Sequence, residues 1–272
     1  MKVNPLGQAT EYVSQYDASL LFAIPRAAAR EAERIPPEGI AGYDVWNAYE
    51  FSWLNPSGKP VVKRLRIVYS AQSPNIVESK SLKLYLGGFV MTRFSSEEDL
   101  IALICRDLEA VLGYPLVAID LFDHSVPPVF CDVSDNQLID EFDVSCDAYE
   151  VDSGLLASAP SPLHERVLMS HLLKTNCPIT NQPDWATVVL RYRGERGLVA
   201  ESLLRYIVSF RNHGGYHESC CERIFTDIHR ELNPEQLMVK CFFTRRGGID
   251  INPCRFHGLL PDTAYSMRFW RQ

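Results

Sequence analysis

The residues best suited to chemistry lie in one short polar segment, "KTNCPITNQPDW", residues 174–185. It places a thiol, Cys177, and a carboxylate, Asp184, seven residues apart, with Pro178 and Pro183 between them. A thiolate is a nucleophile, and a carboxylic acid that keeps its proton can act as a general acid. A nearby carboxylate disfavours the thiolate, and the thiolate in turn favours the protonated acid. The spacing therefore predicts a nucleophile and a proton donor facing one pocket. The alternative is a surface loop with an inert cysteine.

Three further segments combine charged side chains with turn residues. In "NIVESKSLKLYL" (75–86), Glu78 and Lys80 flank a serine where we expect a strand to begin. In "SFRNHGGYHESC" (209–220), a histidine and a glutamate follow a Gly-Gly turn and open a predicted helix. In "FFTRRGGIDINP" (242–253), two arginines precede two glycines, and such arginines can bind a phosphate because guanidinium groups pair with oxyanions. The simpler interpretations are a solvated strand edge, a helix N-terminal charge and a hairpin turn.

The elements that must position these residues form an internal repeat. The segment "SLKLYLGGF" (81–89) matches "SLLRYIVSF" (202–210) at one constant offset, and a helix that follows each segment matches with one residue of slip. The matched pairs are Ser81 and Ser202, Leu82 and Leu203, Tyr85 and Tyr206, Phe89 and Phe210, Ile104 and Ile224, Asp107 and Asp227, and Leu108 and Ile228. The alternative is chance similarity between two common supersecondary units.

Periodicity predicts the strands around this repeat. Residues 61–70 alternate apolar and polar side chains, which is typical of a half-buried strand. Residues 185–194 hold the corresponding position in the second half. Further strands are expected at 115–122 and 237–246. The segment 165–176 fits either a helix or a strand, because both periods match.

Local signals predict where the helices begin and end. Ser95 with Glu98 three residues later indicates a capping box, and Gly113 stands where a C-terminal cap belongs. A second amphipathic helix begins at about His217. Each half therefore reads as a strand–strand–helix–strand module. The segment 152–164, rich in Ser, Ala and Pro, is the expected boundary.

Composition and charge restrict the function classes. The 272-residue chain has a formal net charge of −7, which argues against a nucleic-acid-binding surface. It has no apolar run long enough to span a membrane, and its first residues lack the apolar core of a signal peptide, so we expect a cytoplasmic protein. Its eight cysteines should then be reduced. No cysteine–histidine set has zinc-site spacing, so we expect no metal. Cys220, Cys221 and Cys241 are expected in the core.

Together these segments resemble a known family, the NADPH-dependent nitrile reductases of queuosine biosynthesis. The motifs that carry the resemblance are "YDASLL", "ESKSLKLYL", "TNCPITNQPDW", "SFRNHGGYHE" and "TRRGGIDINP". The chain is similar to the long form of the family. This form implies an α+β fold of two tandem tunnelling-fold (T-fold) modules, with antiparallel sheets and helices packed on one face. We place the modules at residues 1–155, with "ESKSLKLYL", and 156–272, with Cys177 and Asp184.

The resemblance also implies a reaction and its residues. The deazapurine nitrile 7-cyano-7-deazaguanine would be reduced to the primary amine 7-aminomethyl-7-deazaguanine, with NADPH as cofactor, in a homodimer that binds neither nucleic acid nor membrane. Cys177 would form a covalent thioimide and Asp184 would protonate the nitrogen. The residues assigned to substrate are Val77, Glu78, Ser79, His217 and Glu218, and those assigned to NADPH are Ser79, Lys80, Arg246 and Gly247.

Other functions are compatible with the same segments. One is a pterin or purine ring hydrolase on the same fold, although that chemistry usually requires zinc. A second is a cysteine hydrolase that converts a nitrile to an acid. A third is a purine-binding module in which Cys177 has no chemical role. Only the reductase oxidises NADPH when the nitrile is added, and this difference discriminates among them.

Overall fold

The computed structural model describes residues 13–36, 40–127, 129–130, 138–258, 267–269 and 271–272. The strands are β1 (Ala23–Pro25), β2 (Ala41–Leu54), β3 (Pro60–Ser70), β4 (Asn75–Val77), β5 (Leu116–Phe122), β6 (Val129–Phe130), β7 (Ser158–Asn176), β8 (Pro183–Leu198), β9 (Gln236–Phe243), β10 (Ile249–His257) and β11 (Met267–Arg268). The α-helices are α1 (Arg26–Ala32), α2 (Ser79–Gly87), α3 (Glu97–Leu112), α4 (Ala200–Ser209) and α5 (His217–Leu232).

The chain folds into two compact units. Unit 1 takes the described parts of Met1–Ala28, Asp44–Pro127 and Arg245–Asp250, and unit 2 takes those of Ala29–Tyr43, Pro128–Thr244 and Ile251–Gln272. In unit 1, β3 lies between β2 and β5 and pairs antiparallel with β5. In unit 2, β10, β9, β8 and β7 follow one another in antiparallel order. The expected α+β class with antiparallel sheets is confirmed.

Helices α4 and α5 pack on one face of the unit 2 strands. Alternate residues of β8 and β9 share one hydrophobic core with these helices, whereas Val189 and Phe242 belong to a small cluster with Met169 and Phe269. Because successive strand residues point to opposite faces, the helices cover a single face. The large core contains Val188, Leu190, Tyr192, Leu203, Tyr206, Ile207, Ile224, Ile228, Val239 and Phe243. Cys220, Cys221 and Cys241 are also in it, as expected.

Equivalent contacts in the two units confirm the internal repeat. The Tyr85 hydroxyl donates to the Asp107 carboxylate at 2.9 Å, and the Tyr206 hydroxyl donates to the Asp227 carboxylate at 2.8 Å. These four residues are matched positions of the sequence repeat. Burial is the main reason that the pKa values of both tyrosines are raised, so both hydroxyls stay protonated donors. Chance similarity would not reproduce one buried hydrogen bond twice.

The two helix starts also correspond. The Ser81 hydroxyl donates to the Glu78 carbonyl at 2.7 Å, and the Ser202 hydroxyl donates to the Val199 carbonyl at 2.7 Å. Glu78 and Val199 are therefore equivalent N-cap residues. Val199 provides no side-chain cap, whereas the Glu78 carboxylate accepts two backbone hydrogen bonds.

The strand expected after Ser79 is wrong, because this segment is helix α2. Its leucines alternate with period two, but Leu82, Tyr85 and Phe89 also recur with helical spacing. The Glu78 cap favours the helix, because it satisfies N–H groups that a helix start leaves without intrahelical partners.

The other predicted helices and strands agree with the structure or differ from it only in detail. Strand β3 is buried on both faces in its second part, where Leu65, Arg66, Ile67 and Val68 are each at most 7% exposed, so the half-buried prediction is wrong there. The N-cap of α3 is Ser96 rather than Ser95. The ambiguous segment 165–176 is a strand, since it lies within β7. The predicted strands at 61–70, 115–122, 185–194 and 237–246 and the helix starting at His217 are confirmed within a few residues.

Candidate functional site

The loop that carries Cys177 connects two long strands of unit 2. Strand β7 ends at Asn176 and β8 begins at Pro183, opposite Asn176 in the antiparallel register. The Cys177 N–H donates to the Gln182 carbonyl at 2.8 Å, and the Asn181 N–H donates to the Cys177 carbonyl at 3.0 Å. Asn181 adopts φ 55°, a left-handed conformation that asparagine tolerates. The loop is therefore a closed turn, and it holds Cys177 at the strand end.

The Cys177 side chain is buried. The residue is 5% exposed, which argues against a surface loop with a solvated thiol. A second segment packs at this position: the Asn176 N–H donates to the His213 carbonyl at 2.8 Å, and the Gly215 N–H donates to the Asn176 carbonyl at 3.1 Å. These bonds bring the start of α5 next to the end of β7.

Asp184 and His217 form the central pair of the site. Asp184 is 7% exposed, and its Oδ2 atom lies 3.3 Å from His217 Nε2. The His217 ring stacks on Phe243, with 3.8 Å between the ring centroids and 7° between the planes. Strand β8 supplies the carboxylate, α5 the imidazole and β9 the aromatic platform. The arrangement can hold a proton on either partner and pass it along one fixed contact.

The surroundings of Cys220 are acidic. Burial raises the pKa of the Cys220 thiol well above its usual value, and charges at Glu33, Asp184 and Glu218 raise it further. Cys220 therefore stays a protonated thiol and is unsuited to act as the nucleophile. Glu218 is 4% exposed in the first turn of α5. A buried carboxylate there is an acceptor for a donor-rich ligand edge.

Cys177, Asp184, His217 and Glu218 all lie in unit 2, and Asp184 contacts His217 directly; the roles assigned to the four stay predictions. Two contacts were not anticipated. The sequence contains no indication that Phe243 belongs to the site, because its pattern there is that of any apolar strand residue. The direct contact between Asp184 and His217 was also missed, because their separation in sequence does not reveal that β8 and α5 meet.

The other predicted substrate residues lie in unit 1. Val77 is 2% exposed and pairs with Ala23 in a two-stranded antiparallel sheet. Glu78 caps α2: its carboxylate accepts hydrogen bonds from the N–H groups of Lys80 at 2.8 Å and Ser81 at 2.7 Å. The Ser79 hydroxyl lies 3.4 Å from the same carboxylate. Glu78 therefore has a structural role, and its contact with substrate stays a prediction.

The segment with Arg246 and Gly247 is a two-residue hairpin turn, one of the alternatives considered. The Arg246 N–H donates to the Ile249 carbonyl at 2.9 Å, and Gly247 and Gly248 have φ values of 61° and 81°. Two successive positive φ values favour glycine in such a turn. A Cβ atom on Gly247 would lie 3.3 Å from the Lys83 side chain, so the glycine leaves room for close approach. Basic side chains beside an open backbone turn fit the phosphate groups of NADPH.

The described residues form neither a metal-binding group nor a membrane-spanning helix. Within the described ranges, no three His, Cys, Asp or Glu side chains are grouped so that they could hold a metal ion. No helix among the described residues is long and apolar enough to cross a membrane. The described cysteines Cys105, Cys146, Cys177, Cys220, Cys221, Cys241 and Cys254 are free thiols. Cys131, also expected to be reduced, lies outside the described residues.

Comparison with known proteins gives consistent results. A family model described as nitrile reductase, 7-cyano-7-deazaguanine-reductase N-term, matches residues 12–120, and one described as QueF-like protein matches residues 183–259. Proteins named NADPH-dependent 7-cyano-7-deazaguanine reductase from Dechloromonas aromatica (strain RCB) and Burkholderia multivorans are each 47% identical to the chain over 270 residues. These alignments cover 97% of the chain and 95% and 98% of the relatives. Among solved structures, the archaeosine synthase QueF-Like in the apo form matches with 20% identity and a TM-score of 0.33, over 38% of this chain and 99% of that one.

Proposed function

The chain belongs to the family of NADPH-dependent 7-cyano-7-deazaguanine reductases, and on that premise we propose that it reduces 7-cyano-7-deazaguanine to 7-aminomethyl-7-deazaguanine in queuosine biosynthesis. The observation that carries the proposal is a buried thiol, Cys177, and a buried carboxylate, Asp184, in contact with His217, in a chain 47% identical over nearly its full length to reductases of that name. Converting a nitrile to a primary amine takes two hydrides and two protons, so two molecules of NADPH are consumed per nitrile.

Cys177 is the proposed nucleophile. Its sulfur adds to the nitrile carbon while Asp184 protonates the nitrile nitrogen, and the thiol proton passes to the Asp184 carboxylate, so that a covalent thioimide results and the acid is restored. The carbon–sulfur bond holds the substrate in place and breaks once the carbon has been reduced, which regenerates the thiol. Two features support this role: the loop hydrogen bonds fix the position of Cys177, and the raised pKa of Cys220 leaves the Cys220 thiol protonated.

Asp184 is the proposed proton donor, and His217 is proposed to keep it supplied. Asp184 would deliver a proton to the nitrogen as negative charge develops there. His217 Nε2, 3.3 Å from Asp184 Oδ2, is within reach to return a proton to that carboxylate for the next step. The stack on Phe243 restricts the imidazole to one orientation, which favours repeated transfer along the same contact.

The guanine-like edge of the substrate carries N–H donors, and carboxylates are matching acceptors. We propose that Glu218 and Glu78 accept these hydrogen bonds, with Val77, Ser79 and His217 as further substrate contacts. At the position equivalent to Glu78, the repeat has Val199, and helix α4 forms without a carboxylate. The acid is therefore dispensable for beginning such a helix, which supports a second role for it.

NADPH supplies the hydrides when it is bound. We propose Ser79, Lys80, Arg246 and Gly247 as its contacts in this chain. Ser79 and Lys80 form the first turn of α2, and Arg246 and Gly247 lie in the hairpin turn that precedes β10. Lys80 and Arg246 provide positive charge for the cofactor phosphates, and Gly247 provides close access to the backbone.

We further propose that the protein is a cytoplasmic homodimer that does not bind nucleic acid directly. The net charge of −7 supports the last point. The division into modules at residues 1–155 and 156–272 also stays a proposal. It is supported by the two family models, which match residues 12–120 and 183–259 and so fall one in each module.

The proposal is tested by mixing the protein with NADPH and 7-cyano-7-deazaguanine. NADPH absorbance should fall by two equivalents per nitrile consumed, and mass spectrometry should identify the amine. Consumption of the nitrile without loss of NADPH would instead indicate hydrolysis to the acid and would contradict the proposal.

A further inference from the structure

A small cavity lies beside the hairpin turn of unit 1. It has a volume of about 160 Å³, and its described lining residues include Glu50, Lys83, Gly247 and Gly248. Pockets that enclose a whole drug-sized ligand start at about 300 Å³. This cavity is therefore suited to one substituent of a larger ligand, and its two charged lining residues indicate a polar substituent.

Arg245 is held next to the cavity by two contacts. Its guanidinium forms an ion pair with Glu50 and lies over the Tyr49 ring, with 4.6 Å from Cζ to the centroid. The ring itself is fixed, because the Tyr49 hydroxyl donates to the buried Asp250 carboxylate and the Tyr49 N–H donates to the Gly248 carbonyl at 3.1 Å. A guanidinium stacked in this way presents its N–H groups in the plane that suits a phosphate.

The turn glycines bring the two charged lining residues close to the backbone. A Cβ atom on Gly247 would lie 3.3 Å from the Cδ and Cε atoms of Lys83, and one on Gly248 would lie 3.1 Å from Glu50 Oε2. Lys83 and Glu50 therefore both reach the hairpin turn. Lys83 is one turn of α2 beyond Lys80, on the same side of the helix.

We propose that Lys83 and Arg245 bind the 2′-phosphate of NADPH, and that Glu50 is the carboxylate which this phosphate displaces from Arg245. The inference rests on the proposed NADPH-dependent function and names residues beyond those assigned to the cofactor above. The side chains of Arg245 and Glu50 are 41% and 57% exposed, so their ion pair is weak and exchangeable.

The opposite charges give the site its selectivity. A carboxylate alone favours the ribose hydroxyls of NADH, whereas an arginine accommodates the 2′-phosphate of NADPH. Arg245 neutralises Glu50, and Lys83 adds a further positive charge. The balance of these three side chains therefore sets the preference for NADPH over NADH.

Direct binding to the full chain tests this inference. Calorimetry would measure the dissociation constants of NADPH and NADH, and those of adenosine 2′,5′-bisphosphate and adenosine 5′-monophosphate as minimal probes. We expect Lys83→Met and Arg245→Met to weaken the binding of NADPH and of the bisphosphate by roughly tenfold, which is the lower end of the range for losing a hydrogen bond to a charged group. The affinities for NADH and adenosine 5′-monophosphate should change little. Glu50→Gln should increase the affinity for NADPH by roughly two- to fivefold.

Lys59→Met provides the matched control. Lys59 is in the turn between β2 and β3 and does not line the cavity, so this variant should bind all four ligands as the wild type does. If the wild type prefers NADPH and both Lys83→Met and Arg245→Met keep the full preference, the inference is wrong and the proposed function stands. If the wild type binds NADPH no better than NADH, both the inference and the cofactor assignment are wrong.

Discussion

Replacing Glu78 tests whether its carboxylate serves helix α2 alone or the substrate as well. As an N-cap, the carboxylate accepts hydrogen bonds from the Lys80 and Ser81 N–H groups, and losing such a cap costs about 1 kcal/mol of stability. For a chain of this size that is a fall of roughly 2–4 °C in the melting temperature. Because α4 forms with Val199 as its N-cap residue and without a side-chain cap, we expect Glu78→Ala to fold.

The effect on substrate is expected to be larger. A hydrogen bond to a charged group contributes about 1.5–3 kcal/mol, so its loss should weaken binding of 7-cyano-7-deazaguanine by roughly 10- to 150-fold. Calorimetric titration in a Cys177→Ala background would measure this affinity, because no covalent bond forms there. Thermal unfolding of the same samples would measure the loss of stability.

Ser96→Ala is the matched control for Glu78→Ala. The Ser96 hydroxyl caps α3 by accepting the Asp99 N–H at 3.1 Å, and the residue belongs to none of the proposed sites. It should lower the melting temperature by a similar amount and leave substrate affinity unchanged. If Glu78→Ala behaves in the same way as Ser96→Ala, Glu78 is a helix cap only and the substrate contact is refuted.

Three further changes address the chemistry and the electrostatics. Asp184→Asn should slow thioimide formation by roughly 10²–10⁴-fold, as stopped-flow absorbance would measure, with noncovalent binding much less affected; unchanged adduct kinetics would remove Asp184 from the mechanism. Phe243→Leu should reduce turnover several-fold by releasing the His217 ring, whereas Phe242→Leu, on the opposite face of β9, should not; equal effects of the two would refute a positioning role. Burial raises the pKa of Cys254 from 9.0 to about 12, so the unfolded chain releases this proton first as pH rises. The stability that depends on Cys254 is complete below pH about 9 and is lost towards pH 12, at about 1.4 kcal/mol per pH unit. Urea unfolding at a series of pH values would measure this dependence. In Cys254→Ala the free energy of unfolding should fall less steeply with pH, by that amount per pH unit.

The sequence predicted much of the fold because several signals agreed. The sequence repeat matched Tyr85 with Tyr206 and Asp107 with Asp227, and in the structure each tyrosine donates a buried hydrogen bond to its aspartate. It could not fix α2, because alternating leucines fit a strand and a helix equally, and the deciding cap comes from an unusual residue, Glu78. It also misjudged the burial of β3, because the buried Arg66 looks like a solvent-facing residue in the pattern.

For the candidate site, the sequence indicated residues but not their contacts. The motif types indicated Cys177, Asp184, His217 and Glu218, all of which lie in unit 2, and their roles stay predictions. That His217 contacts Asp184 and stacks on Phe243 depends on how α5 packs against β8 and β9. Such tertiary contacts leave no spacing signal, because their partners are far apart in the chain.

Covalent capture of the nitrile by Cys177 tests the central claim most directly. The protein would be mixed with 7-cyano-7-deazaguanine in the absence of NADPH, and its intact mass would be measured. We expect the mass to increase by one molecule of nitrile in the wild type and in Cys105→Ala, a control that removes a partly buried thiol in α3, and not in Cys177→Ala. An adduct that persists in Cys177→Ala, or normal turnover by that variant, would contradict the account.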